Sequence, residues 1–162
     1  RASKFADPCG TGRVSLKTYE QLLSRHPFVV EKRVRWADCD PAGVVYTGKF
    51  TEYLLLVVGY FFDELGGGHY AQWLRGLGVD TPCKGMDLVF HAALWPEDVF
   101  QMHGHVGDVR AHSYDFHVEA KKSDGQAIFS GRFSPICMGR NVRQRVDIPA
   151  PMRDALSAWQ KS

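Results

Sequence analysis

Apolar and polar positions follow patterns along this chain that predict one long buried helix and a series of strands. Residues 28–36 place apolar side chains on one face and charged ones on the other, which predicts a half-buried strand, although Lys32 falls on the apolar face. The segment Thr47–Leu65 is apolar on all sides in its middle. It predicts a helix that must be covered all round, by a sheet and in part by a partner subunit.

The remaining pattern predicts a sheet and three short helices. Four further strands are predicted: Thr81–Leu94, Asp98–Val109, His112–Lys122 and Gln126–Met138. Asp124-Gly125 predicts a hairpin turn between the last two, and short turns of this kind imply antiparallel pairing. The short helices are predicted at Ser15–Ser24, His69–Arg75 and Met152–Gln160. We therefore expect an α+β fold, with an arm and short helix in residues 1–27 and a single domain in residues 28–162.

Composition narrows the class of protein. A chain of 162 residues with 44% hydrophobic and 23% charged residues is typical of one globular domain. The net charge of +2 gives no electrostatic reason to expect nucleic-acid binding, and the apolar runs are shorter than the roughly 20 residues of a membrane span. The four cysteines include no C-x-x-C pair, so we expect free thiols and a cytoplasmic protein. The first residues carry no apolar signal-peptide core, so we expect no export.

The stretch Asp38–Tyr46 is the most informative motif. Within it, Asp40-Pro41-Ala42-Gly43 has Asp, Pro and Gly at the positions that a type I turn prefers. The turn precedes the predicted start of the helix at Thr47, where backbone N–H groups are unpaired and the helix dipole is positive. A carboxylate and oxyanion donors would then share one pocket, which suits attack on a carbonyl carbon. A purely structural turn is the alternative.

The nine residues of this motif, Asp-x-Asp-Pro-Ala-Gly-x-Val-Tyr, also carry a family resemblance. Ahead of an aromatic-rich helix, the motif resembles that of the 4-hydroxybenzoyl-CoA thioesterase family of hotdog-fold acyl-CoA thioesterases, with a weaker likeness from Phe28 to Val146. The resemblance implies a long central helix wrapped by a five-stranded antiparallel sheet, here with extra N- and C-terminal helices. It implies an acyl-CoA thioesterase that needs no cofactor, because coenzyme A is part of the substrate.

The resemblance also assigns roles to residues of the motif. Asp40 matches the family's catalytic carboxylate, which acts as nucleophile on the thioester or as the base that activates water. The backbone N–H of Thr47 matches the oxyanion donor; the family has Tyr or His there, but a backbone donor requires neither side chain. Gly43 and Tyr46 are assigned to substrate binding. Four aromatic residues are candidates to line an acyl pocket: Tyr46, Tyr53, Phe90 and Trp95.

Three other residues near the motif compete with Asp40. Asp38 is either a solvated residue or one that holds the turn through backbone hydrogen bonds. Glu52 stands one turn into the helix, where a related hotdog group has its catalytic carboxylate. Cys39 is a poor nucleophile, because flanking carboxylates raise a thiol pKa, and strand alternation points it into packing. No G-x-S-x-G nucleophile motif occurs in the sequence.

Basic and histidine residues provide further candidates. Arg140, Arg143 and Arg145 follow the last predicted strand and are suited to contact coenzyme A phosphates, with a solvated surface as the alternative; Arg110 is a similar case. Histidines 103 and 105 share a face of one strand, as metal ligands can. They lack further ligands at a recognisable spacing, so we expect no metal and place them on an edge or interface.

These observations predict a thioester hydrolase. The alternative is a non-catalytic hotdog protein that binds acyl-CoA or serves as an assembly subunit, while a hotdog dehydratase or hydratase would need a His and acid pair that we do not find. A helix apolar on all sides and a sheet with two open edges predict a homodimer or homotetramer. In the resembled family the active site lies at the dimer interface.

Overall fold

The computed structural model describes residues 18–160, which form one large sheet, one small sheet, three α-helices and a short 3-10 helix at Trp36–Asp38. The large sheet has six antiparallel strands: β1 (Glu20–Ser24), β2 (Phe28–Arg33), β4 (Cys83–Phe90), β5 (Val99–Val109), β6 (Tyr114–Lys121) and β7 (Ala127–Pro135). Two short strands, β3 (Val79–Asp80) and β8 (Met138–Gly139), pair separately. The helices are α1 (Thr47–Leu65), α2 (Tyr70–Leu77) and α3 (Ala150–Ser157). The strand order β1-β2-β5-β6-β7-β4 leaves β1 and β4 at the edges.

Most of the predicted elements are confirmed. The long helix occupies the predicted range, and β5, β6 and β7 lie within the predicted segments. The Asp124-Gly125 turn joins β6 to β7, with Gly125 at a positive φ of 87° and the Gln126 N–H bonded to Asp124 Oδ1 at 2.9 Å. The predicted strand Thr81–Leu94 is shorter than expected, because residues 91–98 leave the sheet and cross towards the N-terminal end of α1.

The N-terminal prediction is wrong in its described part. Glu20–Ser24, expected in a helix, form β1 and pair with β2, so the large sheet has six strands rather than five. Pairing with an open edge outweighed the helical spacing, since β2 offers a full row of backbone partners. The new strand also explains Lys32, which is 5% exposed and places Nζ 2.8 Å from Glu20 Oε2. Residues 1–17, including Cys9 and the rest of the predicted arm, lie outside the described residues.

Helix α1 packs one broad face against the sheet. Its buried residues are Phe50, Tyr53, Leu54, Val57, Val58, Phe61 and Leu65. Phe61 stacks on Phe116 of β6 at 4.2 Å, and Phe50 meets Phe129 of β7 edge-on at 5.7 Å. The sheet covers only part of the helix surface, because Glu52, Leu55, Gly59 and Asp63 are exposed in the single chain, and cover by a partner subunit stays a prediction. None of the helices within residues 18–160 has the length and apolarity to cross a membrane.

Candidate active site

The motif Asp38–Tyr46 folds into a closed loop that leads directly into α1. The Tyr46 N–H donates to the Asp38 carbonyl at 3.0 Å, and the Asp40 N–H donates to the Val44 carbonyl at 2.9 Å. At the tip, the Gly43 N–H donates to the Asp40 carbonyl at 2.9 Å, which closes the predicted four-residue turn. Gly43 has a φ of 81°, a conformation that favours glycine. The sequence of this loop therefore determines its shape locally.

Asp40 presents a half-buried carboxylate at the turn. Its Oδ1 accepts the Ala42 N–H at 2.8 Å, so the turn holds one oxygen in place. Among residues 18–160, no hydrogen bond is made to the other oxygen, Oδ2. The carboxylate is thus oriented by its own backbone and retains one oxygen for a ligand or water.

The N-terminus of α1 begins where this loop closes. Thr47 is the first helical residue and is exposed, and the N-cap residue Tyr46 makes no side-chain hydrogen bond to the first turn. Backbone N–H groups at such a terminus point outwards and carry partial positive charge. Tyr46 is 59% exposed, and its ring lies across Gly48, two residues further on, where a Cβ would come within 2.5 Å of Tyr46 Cε1. Gly48 therefore allows the ring to lie beside the helix start.

The two rival carboxylates have other partners. Asp38 is 7% exposed, and its Oδ2 accepts the Tyr53 hydroxyl at 2.9 Å and the Arg35 N–H at 3.1 Å. Glu52 is exposed and forms an ion pair with Lys49 at 2.7 Å, a hydrogen bond that raises the pKa of Lys49. Lys49 Nζ also lies 3.9 Å from Asp38 Oδ1. The Asp38 carboxylate thus bonds to the segment before the loop and to α1, and Glu52 lies in an exposed ion pair.

Cys39 lies between the two aspartates and has the properties of a packing residue. It is half-buried against the core, and its backbone pairs with Val45 across the loop. Burial raises the pKa of the Cys39 thiol, and the charges of Asp38 and Asp40 raise it further, as the sequence predicted. Cys39, Cys83 and Cys137 are all free thiols.

Three of the four candidate aromatic residues are exposed, and one is buried. Tyr46, Phe90 and Trp95 are each about half exposed, at 59%, 48% and 50%. The Val45 N–H donates to the Leu94 carbonyl at 2.8 Å, which brings the segment that carries Trp95 against the loop. Tyr53 is 3% exposed, so its hydroxyl serves Asp38 rather than an open pocket.

The basic segment lies away from the loop within this chain. Arg140, Arg143 and Arg145 are exposed, and the Arg140 N–H donates to the Gly78 carbonyl at 3.1 Å, beyond the end of α2. Since α2 follows the C-terminal end of α1, a helix of 19 residues and about 28 Å, the segment and Asp40 lie toward opposite ends of α1. Arg110, the other basic candidate, is bound to Asp115 through both terminal nitrogens, at 2.9 and 2.7 Å.

The histidines show no metal-binding arrangement. Within residues 18–160, no three His, Cys, Asp or Glu side chains are grouped so as to hold a metal ion. His105 stacks on His117 at 5.2 Å, and burial lowers the pKa of His103. His103 and His105 lie half-buried on β5, an inner strand of the sheet, rather than on an edge.

Two residues at this site were missed or left unexplained by the sequence analysis. Tyr53 was considered only as a pocket residue, although a hydroxyl within an apolar helix indicates a buried hydrogen-bond partner. Lys32 was recognised only as an exception; it is buried with Nζ 5.7 Å from the centre of the Tyr53 ring. Both signals were present, but their partners come from distant positions in the chain.

Comparisons with known proteins bear on the family and the fold. Residues 34–159 match the family model of the thioesterase-like superfamily. No curated protein sequence shows significant similarity to the chain. A thioesterase-superfamily structure from Jannaschia sp. CCS1 has a TM-score of 0.73 at 25% identity, covering 84% of this chain and 94% of its own.

Two further structures share the fold at lower identity. A 1,4-dihydroxy-2-naphthoyl-CoA thioesterase from Synechocystis has a TM-score of 0.70 at 21% identity, covering 80% of this chain and 95% of its own. A Staphylococcus aureus protein solved in complex with CoA has a TM-score of 0.76 at 14% identity, covering 91% of each chain. These likenesses show the hotdog thioesterase fold, with a long helix on a large antiparallel sheet.

Proposed function

The chain belongs to the thioesterase-like superfamily, and from this premise we propose that it is an acyl-CoA thioesterase that releases free acid and coenzyme A. The proposal is carried by one observation, a half-buried Asp40 carboxylate whose Oδ2 accepts no hydrogen bond from residues 18–160, on a loop that runs into the N-terminus of α1. The Asp-x-Asp-Pro-Ala-Gly motif supports the narrower assignment to enzymes of the 4-hydroxybenzoyl-CoA thioesterase type.

The chemistry that we propose divides between Asp40 and the helix terminus. The carboxylate attacks the thioester carbonyl to give a mixed anhydride that water then hydrolyses, or it deprotonates the attacking water. The backbone N–H of Thr47 holds the developing oxyanion, a contribution on the order of 3 kcal/mol. The thiolate of coenzyme A leaves as the carbonyl re-forms. Gly43 shapes the turn, and the exposed rings of Tyr46, Phe90 and Trp95 provide an apolar surface beside it.

A panel of aromatic, short-chain and branched acyl-CoA thioesters tests this function. A thiol-reactive dye reports free coenzyme A, and we expect turnover of at least one member of the panel. Titration of the same compounds in a binding assay provides the second readout. Binding of acyl-CoA without release of coenzyme A would replace the proposal with the non-catalytic alternative, an acyl-CoA-binding or assembly protein.

We also propose that the protein self-associates as a homodimer or homotetramer. Edge strand β4 exposes Met86, Val89 and Phe90, and α1 exposes Leu55, so apolar surface lies beside an unpaired strand edge. In a dimer, a partner's basic segment can approach the Asp40 loop, which the segment of the same chain does not. Light scattering at micromolar concentration should give at least twice the monomer mass of 18.2 kDa, whereas a monomeric mass would contradict this proposal. The cytoplasmic location stays a prediction.

A further inference from the structure

Asp38 and Tyr53 form a buried hydrogen-bonded pair behind the loop that carries Asp40. The Tyr53 hydroxyl donates to Asp38 Oδ2 at 2.9 Å, and both residues are nearly inaccessible, at 3% and 7% exposed. The Asp38 carbonyl accepts the Tyr46 N–H at 3.0 Å, which is the bond that closes the loop. Asp38 therefore connects the closure of the loop to a side chain in the second turn of α1.

The surroundings of Tyr53 hold its hydroxyl in one place. The ring lies 6.0 Å from the Phe50 ring and 5.5 Å from the Phe100 ring, on helix and sheet respectively. Lys32 Nζ lies 5.7 Å from the ring centre and is itself held by Glu20 of β1. Burial raises the pKa of Tyr53, and the bond to Asp38 raises it further, so the hydroxyl stays protonated and donates.

We propose that Asp38 and Tyr53 are positioning residues, whose hydrogen bond fixes the Asp40 loop against the first turn of α1. The inference rests on the proposed function, in which Asp40 and the Thr47 N–H must act on one carbonyl group. Asp40 lies at the tip of the loop and Thr47 directly beyond its closing bond, so a shift of the loop on the helix changes their spacing. A displacement of about 1 Å at a reacting group can cost about a hundredfold in rate.

The chain provides a matched control in α2, which follows the C-terminal end of α1. The Tyr70 hydroxyl lies 2.7 Å from Thr81 Oγ1, in a part-buried hydrogen bond between side chains. Tyr70→Phe removes this bond as Tyr53→Phe removes the bond to Asp38, and each substitution keeps its ring. The two variants therefore differ in whether the lost bond reaches the Asp40 loop.

Steady-state kinetics with the acyl-CoA hydrolysed best by the wild type provides the first test. We expect Tyr53→Phe to lower kcat about tenfold with KM within about twofold, and Tyr70→Phe to leave kcat within about twofold. In an Asp40→Asn background, Tyr53→Phe should no longer lower the residual kcat, because the geometry that it disturbs serves Asp40. A wild-type kcat in folded Tyr53→Phe, or an equal loss in the Asp40→Asn background, would overturn the inference.

Amide hydrogen exchange provides a second test that does not depend on activity. The reporters are the Tyr46 N–H, bonded to the Asp38 carbonyl, and the Ala42 N–H, bonded to Asp40 Oδ1. We expect both to exchange about tenfold faster in Tyr53→Phe and at the wild-type rate in Tyr70→Phe. Absence of turnover in the wild type would contradict the proposed function alone. Unchanged amide exchange rates at Tyr46 and Ala42 in Tyr53→Phe would contradict the positioning role alone.

Discussion

Asp40 and Asp115 are two aspartates that this fold treats in opposite ways. Asp115, on β6, is 4% exposed. Its oxygens accept hydrogen bonds from both terminal nitrogens of Arg110 and from the Ser134 hydroxyl, the last at 2.5 Å. Asp40, at the tip of its loop, is half-buried and accepts one backbone N–H. A buried charge must have its hydrogen bonds satisfied, whereas a half-buried one can leave an oxygen to water or a substrate.

The difference separates stability from chemistry. A carboxylate with every oxygen bonded is costly to rearrange, so it serves the fold. A carboxylate that its own turn orients through one oxygen can react through the other without breaking a tertiary contact. Asp38 lies between these cases, since it is buried and bonded but belongs to the same loop as Asp40. The comparison therefore predicts that substitutions at Asp40 and Asp115 affect different measurements.

The largest expected effect is that of Asp40→Asn on turnover. Asn keeps an oxygen for the Ala42 N–H, so the turn should survive, but an amide is neither nucleophile nor base. We expect kcat to fall at least about a hundredfold and the free energy of unfolding to change by about 1 kcal/mol or less. The rate of hydrolysis is measured as the release of coenzyme A, and the free energy of unfolding is measured in urea.

Two controls sharpen this prediction. Asp38→Asn should lower kcat much less than Asp40→Asn, since it disturbs the position of the loop and leaves the reacting group in place. Asp115→Asn should leave kcat within about twofold, because among the described residues Asp115 bonds to Arg110 and Ser134 and to no member of the Asp38–Tyr46 loop. Near-native hydrolysis by folded Asp40→Asn would end the assignment of Asp40 as the catalytic carboxylate.

The second prediction concerns the stability that Asp115 provides. Asp115→Asn removes a charge that binds Arg110 through two bonds and Ser134 through a third. The side chain of Arg110 is 42% exposed and can regain water, so we expect a loss of about 2 kcal/mol rather than the larger cost of a fully buried orphan charge. Urea unfolding at neutral pH measures this, and an unchanged midpoint and slope would contradict it.

The third prediction is the pH dependence of the same contribution. The hydrogen bonds from Arg110 are the main cause that lowers the pKa of Asp115 to about 2, from an ordinary 3.8. The folded state then holds the ionised form more tightly, so the stabilisation is complete above the ordinary pKa and is lost as pH falls towards 2. The unfolding free energies of wild type and Asp115→Asn should converge by about 2 kcal/mol between pH 5 and pH 2. A constant difference over this range would show that ionisation of Asp115 contributes nothing.

The same contrast shows which features the sequence could predict. The turn at Asp40 and the start of α1 follow from adjacent residues, because Pro41 and Gly43 favour the turn and the apolar pattern marks the helix. Ser134, a partner of Asp115, comes from a separate strand, β7, and Tyr53 lies fifteen residues from Asp38. No local pattern pairs them, so they emerge only from the register of the sheet and the docking of α1.

The prediction of a helix in place of edge strand β1 was wrong for a related reason. Leu22 and Leu23 fit a helical spacing, but β2 presents an unpaired edge, and Glu20 there meets the buried Lys32. A lysine on an apolar face was the sequence signal that an acidic partner was missing. Local propensity is a weak prior when tertiary pairing supplies both hydrogen bonds and a counter-charge.

The smallest expected effect is at Arg143, and it extends the comparison from carboxylates to arginines. Arg110 is bound to Asp115, whereas Arg143, the middle arginine of the basic segment, is exposed with its backbone at a φ of 51°. An arginine without such a partner can bind phosphate. Ala, like Arg, has a Cβ, so Arg143→Ala leaves the strain of this backbone conformation about the same. The substitution should therefore affect substrate binding only through the lost positive charge.

If the basic segment contacts coenzyme A across a subunit interface, Arg143→Ala should raise KM about threefold with kcat unchanged, since it removes binding shared by ground and transition states. The combined Arg140, Arg143 and Arg145 to Ala variant should raise KM further, by about tenfold or more. Arg75→Ala, which removes an exposed charge from α2, is the matched control and should leave KM within about twofold. Equal KM values for the triple variant, Arg75→Ala and wild type would return the segment to a solvated surface. If the triple variant raises KM in the dimer and leaves it unchanged in the dissociated monomer, the phosphate contact comes from the partner subunit.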